Sequence, residues 1–164
     1  MTLSIGDEAP NFDLSSTENA VLMLRDEAAR TSVVLYFFAD PSDPRTHRDL
    51  DALNQRLDPL ARLRTRILAV SPAKLDDLKK LQAERKLLFP LLRDDRNFSA
   101  AYGVTGAPAL VLVGRKQRIL WLANPVAAVA EALPQVEKVQ EEQPSATKGY
   151  PKSVVNRLID KIVN

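Results

Sequence analysis

The chain has 164 residues, of which 45% are hydrophobic and 27% charged, and its formal net charge is +2. That is enough for one domain with a real core, with or without an extension, and too little charge excess to make nucleic acid the default partner. It contains no cysteine and a single histidine, which excludes disulfides, thiolate catalysis and thiolate metal sites and leaves no set of histidines for a zinc centre.

No apolar run reaches the ~20 residues that span a bilayer, so no membrane partner is expected. Residues 1–10 are polar and carry no leader-like apolar segment; the expected location is cytoplasmic. Residues 5–14 (IGDEAPNFDL) alternate Phe12 and Leu14 with polar neighbours, as a short edge strand does. Residues 21–24 read as a second short strand and 25–30 as a turn or so of helix. Residues 33–38 (VVLYFF) have no polar break, which predicts a strand buried on both faces.

Asp40-Pro41-Ser42-Asp43-Pro44 is dense turn chemistry. After it Leu50, Leu53, Leu57 and Leu60 recur at helical spacing, predicting a helix from about Arg45 to about Leu63 that Pro59 kinks or ends. Residues 66–70 form the next buried strand. Ser71-Pro72 reads as an N-cap followed by proline at the first helical position, opening a helix lined by Leu75, Leu78 and Leu81. Residues 89–93 are expected to be extended, and 97–102 a short helix that Gly103 closes. Residues 109–113 and 118–123 are apolar strands around a hairpin turn at 114–117. Residues 126–139 form a final core helix interrupted by Pro134. Residues 140–150 read as a polar linker. Residues 151–164 form a C-terminal amphipathic helix with Val154, Val155, Leu158, Ile159, Ile162 and Val163 on one face. The whole predicts an α/β three-layer fold: a mixed central sheet flanked by helices in a domain over residues 1–139, then linker and C-terminal helix.

A buried strand that ends in a tight loop and opens a helix points backbone N–H groups and the positive helix end at one spot, where α/β folds place anions and nucleophiles. The groups there are Asp43, Thr46, His47 and Asp51. Thr46 and His47 diverge by about 100° around the helix, whereas His47 lies four residues from both Asp43 and Asp51, within reach of a carboxylate–histidine pair. The plainer reading is a solvated first turn whose acids suit the helix end. Asp40 and Asp43 could hold a hard cation; Asx turns beside Pro41 and Pro44 account for them more simply, and no metal or other cofactor is expected. Asp95 is expected to cap the helix at Asn97.

In order and spacing, GDEAPNFDL (6–14), VVLYFF, the loop and helix at 40–53, ILAVSPAKLDDLKKLQ (67–82), FPLLRDDRNFSAAYGV (89–104) and ALVLVGRKQRI (109–119) resemble the peroxiredoxins, and among them the bacterioferritin-comigratory or Q-type branch of the AhpC/TSA group. The resemblance implies a thioredoxin-like fold and thiol-dependent peroxide reduction. It also implies a proline, a threonine and the peroxidatic cysteine at the positions held here by Ala39, Asp43 and Thr46, with a resolving cysteine at Asp51. The family's active-site arginine falls near Pro108 or Ala109, where this chain has none. Pro108 instead resembles the cis-proline of thioredoxins, and is expected either cis, freeing the Ala107 carbonyl for an extended peptide, or trans at a strand start. Arg45, Arg48 and Arg115 are candidate basic lining groups.

A threonine hydroxyl stays protonated at physiological pH and cannot reach a sulfenate state, so no catalytic residue is expected. The expectation is a peroxidase-inactive binding or dimerising module. Its partner would be a second copy, or another protein meeting the vestigial pocket (Ala39, Asp43, Thr46, Pro108) or residues 151–164. The rivals are an enzyme using Asp43 with His47 and an inactive subunit of a redox complex.

Overall fold

Six consecutive side chains, those of Ser32–Phe37, are all buried, so packed layers must lie on both sides of this strand. The computed structural model describes residues 3–143. In chain order they form β1 (Asp13–Ser15), β2 (Val21–Met23), α1 (Leu24–Arg30), β3 (Ser32–Phe37), α2 (Pro44–Gln55), α3 (Leu57–Arg62), β4 (Thr65–Ser71), α4 (Leu75–Arg85), β5 (Leu91–Arg93), a 3-10 turn (Phe98–Tyr102), β6 (Ala109–Val113), β7 (Ile119–Ala123) and α5 (Val129–Glu141). The main sheet has the order β5-β4-β3-β6-β7. Its β5, β4 and β3 are parallel, while β6 and β7 run antiparallel to their neighbours. β1 and β2 pair as a separate hairpin. This is the mixed, helix-flanked sheet the sequence predicts.

Alternation along β3 sends side chains to two cores. Val34, Tyr36 and Phe38 pack with Leu50, Leu60, Leu78 and Val129 from α2 to α5. Val33, Leu35 and Phe37 pack with Leu24, Ala28, Leu14 and Tyr102 on the other face. The 3-10 turn closes at Gly103, whose φ of 74° is the left-handed conformation that glycine adopts freely.

Several boundaries differ from expectation for local reasons. The long Leu-striped helix is two helices, broken at Arg56. Pro59 sits in the first turn of α3, and the carbonyl its ring would crowd is that of Gln55, the last residue of α2. The helix expected at Pro72 begins at Leu75, because Ser71 still pairs with Arg93 in the sheet. The Ser71 hydroxyl accepts from the Ala73 N–H at 3.2 Å, capping a turn and not α4. Asp94, not Asp95, caps the 3-10 turn, accepting from the Phe98 and Ser99 N–H groups at 2.7 and 2.8 Å. The cis X–Pro bond joins Asn124 to Pro125; Pro108 is trans. The final helix starts at Val129, since the Val126 N–H donates to the Pro108 carbonyl at 2.8 Å. It continues through Pro134 to Glu141, two residues into the segment read as linker. Residues 144–150 of that segment and residues 151–164 lie outside the described residues. Among the described residues no helix is long and apolar enough to cross a membrane.

One buried carboxylate ties three elements together. Asp49 of α2 is 4% exposed. Its Oδ2 accepts from the Tyr36 hydroxyl at 2.7 Å and its Oδ1 from the Val129 N–H at 3.2 Å, at the N-terminal end of α5. The Arg45 Nε lies 3.6 Å from Oδ2, and the Arg45 Nη2 donates to the Val126 carbonyl. Burial first, and then the hydrogen bond to Asp49 and its charge, push the Tyr36 phenol far above its ordinary range against the smaller opposing effects of Arg45 and Thr46. Tyr36 therefore remains a donor.

Asp49→Ala strands two buried donors at once and is expected to cost about 2–5 kcal/mol of stability. Asp49→Asn, which keeps an acceptor oxygen, is expected to cost less. Denaturant unfolding midpoints measure both; an Ala variant within about 0.5 kcal/mol of the parent would refute the role assigned to this carboxylate.

Candidate functional site

β3 delivers the chain to the top of the sheet, where the Phe38 N–H donates to the Val70 carbonyl at 3.0 Å and the strand ends. The loop that follows is held by its own side chains. Asp40 Oδ1 accepts from the Ser42 N–H at 2.9 Å and from the Ser42 hydroxyl at 2.7 Å, and those bonds hold the Asp40 carboxyl below its usual range. Asp43 is the N-cap of α2, accepting from the Arg45 N–H at 2.9 Å, and Pro44 takes the first helical position. The positive end of α2 is thus occupied by a carboxylate of the same chain. These are the Asx turns that the spacing predicts.

The site residues do not converge. Thr46 points inward and is 3% exposed, close enough to Tyr36 to bear on its phenol. His47, half-buried, places Nε2 2.8 Å from the Pro41 carbonyl oxygen, so its ring closes the loop and is not paired with a carboxylate. Asp51 is taken by Arg85 at the end of α4: the Arg85 Nε donates at 3.1 Å and Nη2 makes a second bond. That hydrogen bond is the main cause holding the Arg85 guanidinium above its ordinary range. Pro108 precedes β6, and Ala109 is fully buried opposite Phe37. Arg45 serves the Asp49 joint and Arg48 is exposed. Arg115 lies in the β6–β7 hairpin, at the far end of the sheet from α2's N-terminus.

A cavity of about 290 Å³ lies over the C-terminal ends of β3 and β4, the edge where open α/β sheets bind ligands. Ala39 lines it with Ser71, Asp94, Asn97, Thr105 and Ala107; Asp43, Thr46 and Pro108 do not. Its polar groups are largely committed: Ser71 to the Ala73 N–H and the Ala39 carbonyl, Asp94 to the 3-10 turn.

Asp49 is the residue that sequence reading passes over, although a signal existed. Thr46 and Asp49 stand four residues before Leu50 and Leu53, so the apolar stripe runs straight through both. A polar residue on such a stripe is buried and needs partners.

Comparisons with known proteins agree with this geometry. A family model described as the AhpC/TSA family matches residues 5–122. Two proteins from two strains of Mycobacterium tuberculosis, each named as a peroxiredoxin, are 30% identical to this chain over 105 residues, 63% of this chain and 66% of theirs. The match thus spans a little under two thirds of those relatives. Among solved structures, the peroxidoxin BcpB of Mycobacterium tuberculosis aligns with a TM-score of 0.77 at 17% identity, covering 84% of this chain and 96% of that one. A cysteine-to-serine mutant of Xylella fastidiosa peroxiredoxin Q aligns at 0.75 and 20% identity, over 84% and 98% of the two chains. A Chlorobium tepidum structure titled as a thiol:disulfide interchange protein of the DsbE type aligns at 0.74 and 26% identity, over 85% and 99%. With the match running from before β1 into β7, on a sheet and helices laid out as in those neighbours, the chain belongs to the AhpC/TSA family.

Proposed function

We propose that this AhpC/TSA protein has no thiol peroxidase activity and works in the cytoplasm as a binding or dimerising module. The carrying observation is a sequence of 164 residues without a cysteine, in a family whose chemistry, on the resemblance above, is that of a thiolate. Peroxide reduction needs a soft nucleophile largely ionised at neutral pH. Thr46, at the position the resemblance assigns to the peroxidatic sulfur, offers a buried neutral hydroxyl, and Asp51, at the resolving position, is held in an ion pair. The module's contact surface is the cavity that Ala39 lines with Ser71, Asp94 and Ala107, facing a second copy or another protein.

The rival hydrolytic reading loses support from the same geometry, because His47 faces the Pro41 carbonyl while Asp43 caps α2. The 26% identity to a structure titled as a thiol:disulfide interchange protein lends some weight to a second reading, an inactive subunit in a redox complex whose partner brings the cysteine.

The test is reductant-coupled consumption of hydrogen peroxide and an organic hydroperoxide by the purified full chain with thioredoxin and its reductase. The expected rate equals the blank without protein. Sustained turnover by the protein alone, free of metals and contaminating enzymes, would overturn the proposal; turnover that appears only when a cysteine-bearing partner is added would favour the redox-complex reading.

A further inference from the structure

At the end of the sheet opposite α2's N-terminus lies a second groove of about 320 Å³. Its buried floor is Ile67, Phe89 and Pro90, its apolar walls are Leu57, Ala61 and Leu88, and Glu18, Arg64 and Arg66 also line it. Leu88 is 78% exposed, the most exposed of the large hydrophobic side chains of the described residues. It is held in that position, since the Leu88 N–H donates to Asn54 Oδ1 at 2.9 Å and Asn54 Nδ2 donates to the Lys86 carbonyl at 3.1 Å. A fixed, exposed apolar side chain beside a largely apolar groove suits a surface that is covered.

The chain leaves the described fold at the mouth of this groove. Gln140, in the last turn of α5, donates through Nε2 to Thr65 Oγ1 at 2.7 Å, and Thr65 lines the groove. Residues 144–150 at ~3.5 Å each reach ~25 Å, enough to cross α3. Residues 151–164 then bring Val154, Val155, Leu158, Ile159, Ile162 and Val163 at helical spacing, a sequence pattern for an apolar face about 20 Å long.

We propose that the apolar face of residues 151–164 docks on this groove of the same chain, covering Leu88 and inserting aliphatic side chains between α3 and the segment before β5. A tether this short gives an effective concentration in the millimolar range, so a modest intrinsic affinity suffices to keep the segment bound. The inference is independent of the peroxidase question, because the groove and the α2 loop lie at opposite ends of the sheet.

The cysteine-free background makes the test direct, since the engineered cysteines are the only thiols in the chain. In the full chain, Leu88→Cys with Ile159→Cys is compared under mild oxidation at low protein concentration with Ile5→Cys and Ile159→Cys. Ile5 is 66% exposed and adjoins Gly6, whose N–H donates to the Ile119 carbonyl at the β7 edge, while Leu88 precedes β5 at the other edge. The expected result is a fast-migrating monomeric disulfide in the first pair, formed at least about tenfold faster than in the control. Equal rates would overturn the proposal. So would a concentration-dependent disulfide dimer, which would give the groove to a second copy. A cysteine-independent measurement is amide exchange at Leu88 and Phe89 in a chain carrying Leu158→Glu and Ile162→Glu. Exchange several-fold faster than in the parent, with β3 amides unchanged, is expected, and unchanged exchange at Leu88 and Phe89 would also refute the docking.

Discussion

A carboxylate with 4% of its surface exposed persists in a protein interior only if its oxygens are occupied, and the occupants of Asp49 set the geometry around it. Tyr36 approaches from the central strand, the Val129 N–H from the start of α5, and Arg45 from one helical turn earlier. Once α2 is clamped in that rotation, Thr46 must face inward and Asp43 and His47 must face the loop. The first turn of α2 is therefore a joint between layers. The carboxylate of Asp43 answers its N-terminal dipole, and the Pro41 carbonyl takes its histidine.

In that arrangement an AhpC/TSA fold stands with no cysteine in its 164 residues. What holds the sheet is apolar burial on two faces of β3, and that pattern carries the fold at identities of 17–26% to solved structures. The positions that the resemblance gives to reactive groups have been put to structural use. Asp51 joins α2 to α4 through Arg85, Ala109 is packed against the end of β3, and Ala39 opens onto a cavity whose Ser71 and Asp94 already have partners. Each of these contacts stabilises the domain where a reaction centre would need solvent access and an unsatisfied donor.

Most of the architecture was legible in the sequence because it rests on periodicity. VVLYFF announces the central strand, the Leu stripe announces the helical stretch that the structure divides into α2 and α3, and the 114–117 turn announces the β6–β7 hairpin. Misreadings cluster where a local signal competes with a nonlocal bond. Ser71-Pro72 has helix-start chemistry, yet β5 keeps Ser71 in the sheet; Asp94 displaces Asp95 as the cap because only its oxygens meet the Phe98 and Ser99 N–H groups. Of the two alternatives left open at Pro108, the trans proline before a strand is the one found, and the cis bond precedes Pro125 instead. At the site, residue identity disclosed that no cysteine thiolate is available. The role of Asp49 depends on partners 13 and 80 residues away and could be inferred only as a polar residue in need of burial partners.

The central claim is that the turn at Thr46 is a structural joint and no longer a reaction centre lacking only its sulfur. Restoring the sulfur tests this most directly: the second-order rate of Thr46→Cys with hydrogen peroxide, measured beside free cysteine at the same pH. The account predicts a rate within about tenfold of the free thiol, since Asp43 fills the helix end and no arginine stands at Pro108 or Ala109. A rate enhanced about a thousandfold or more would show an activating cradle still intact, and would contradict it.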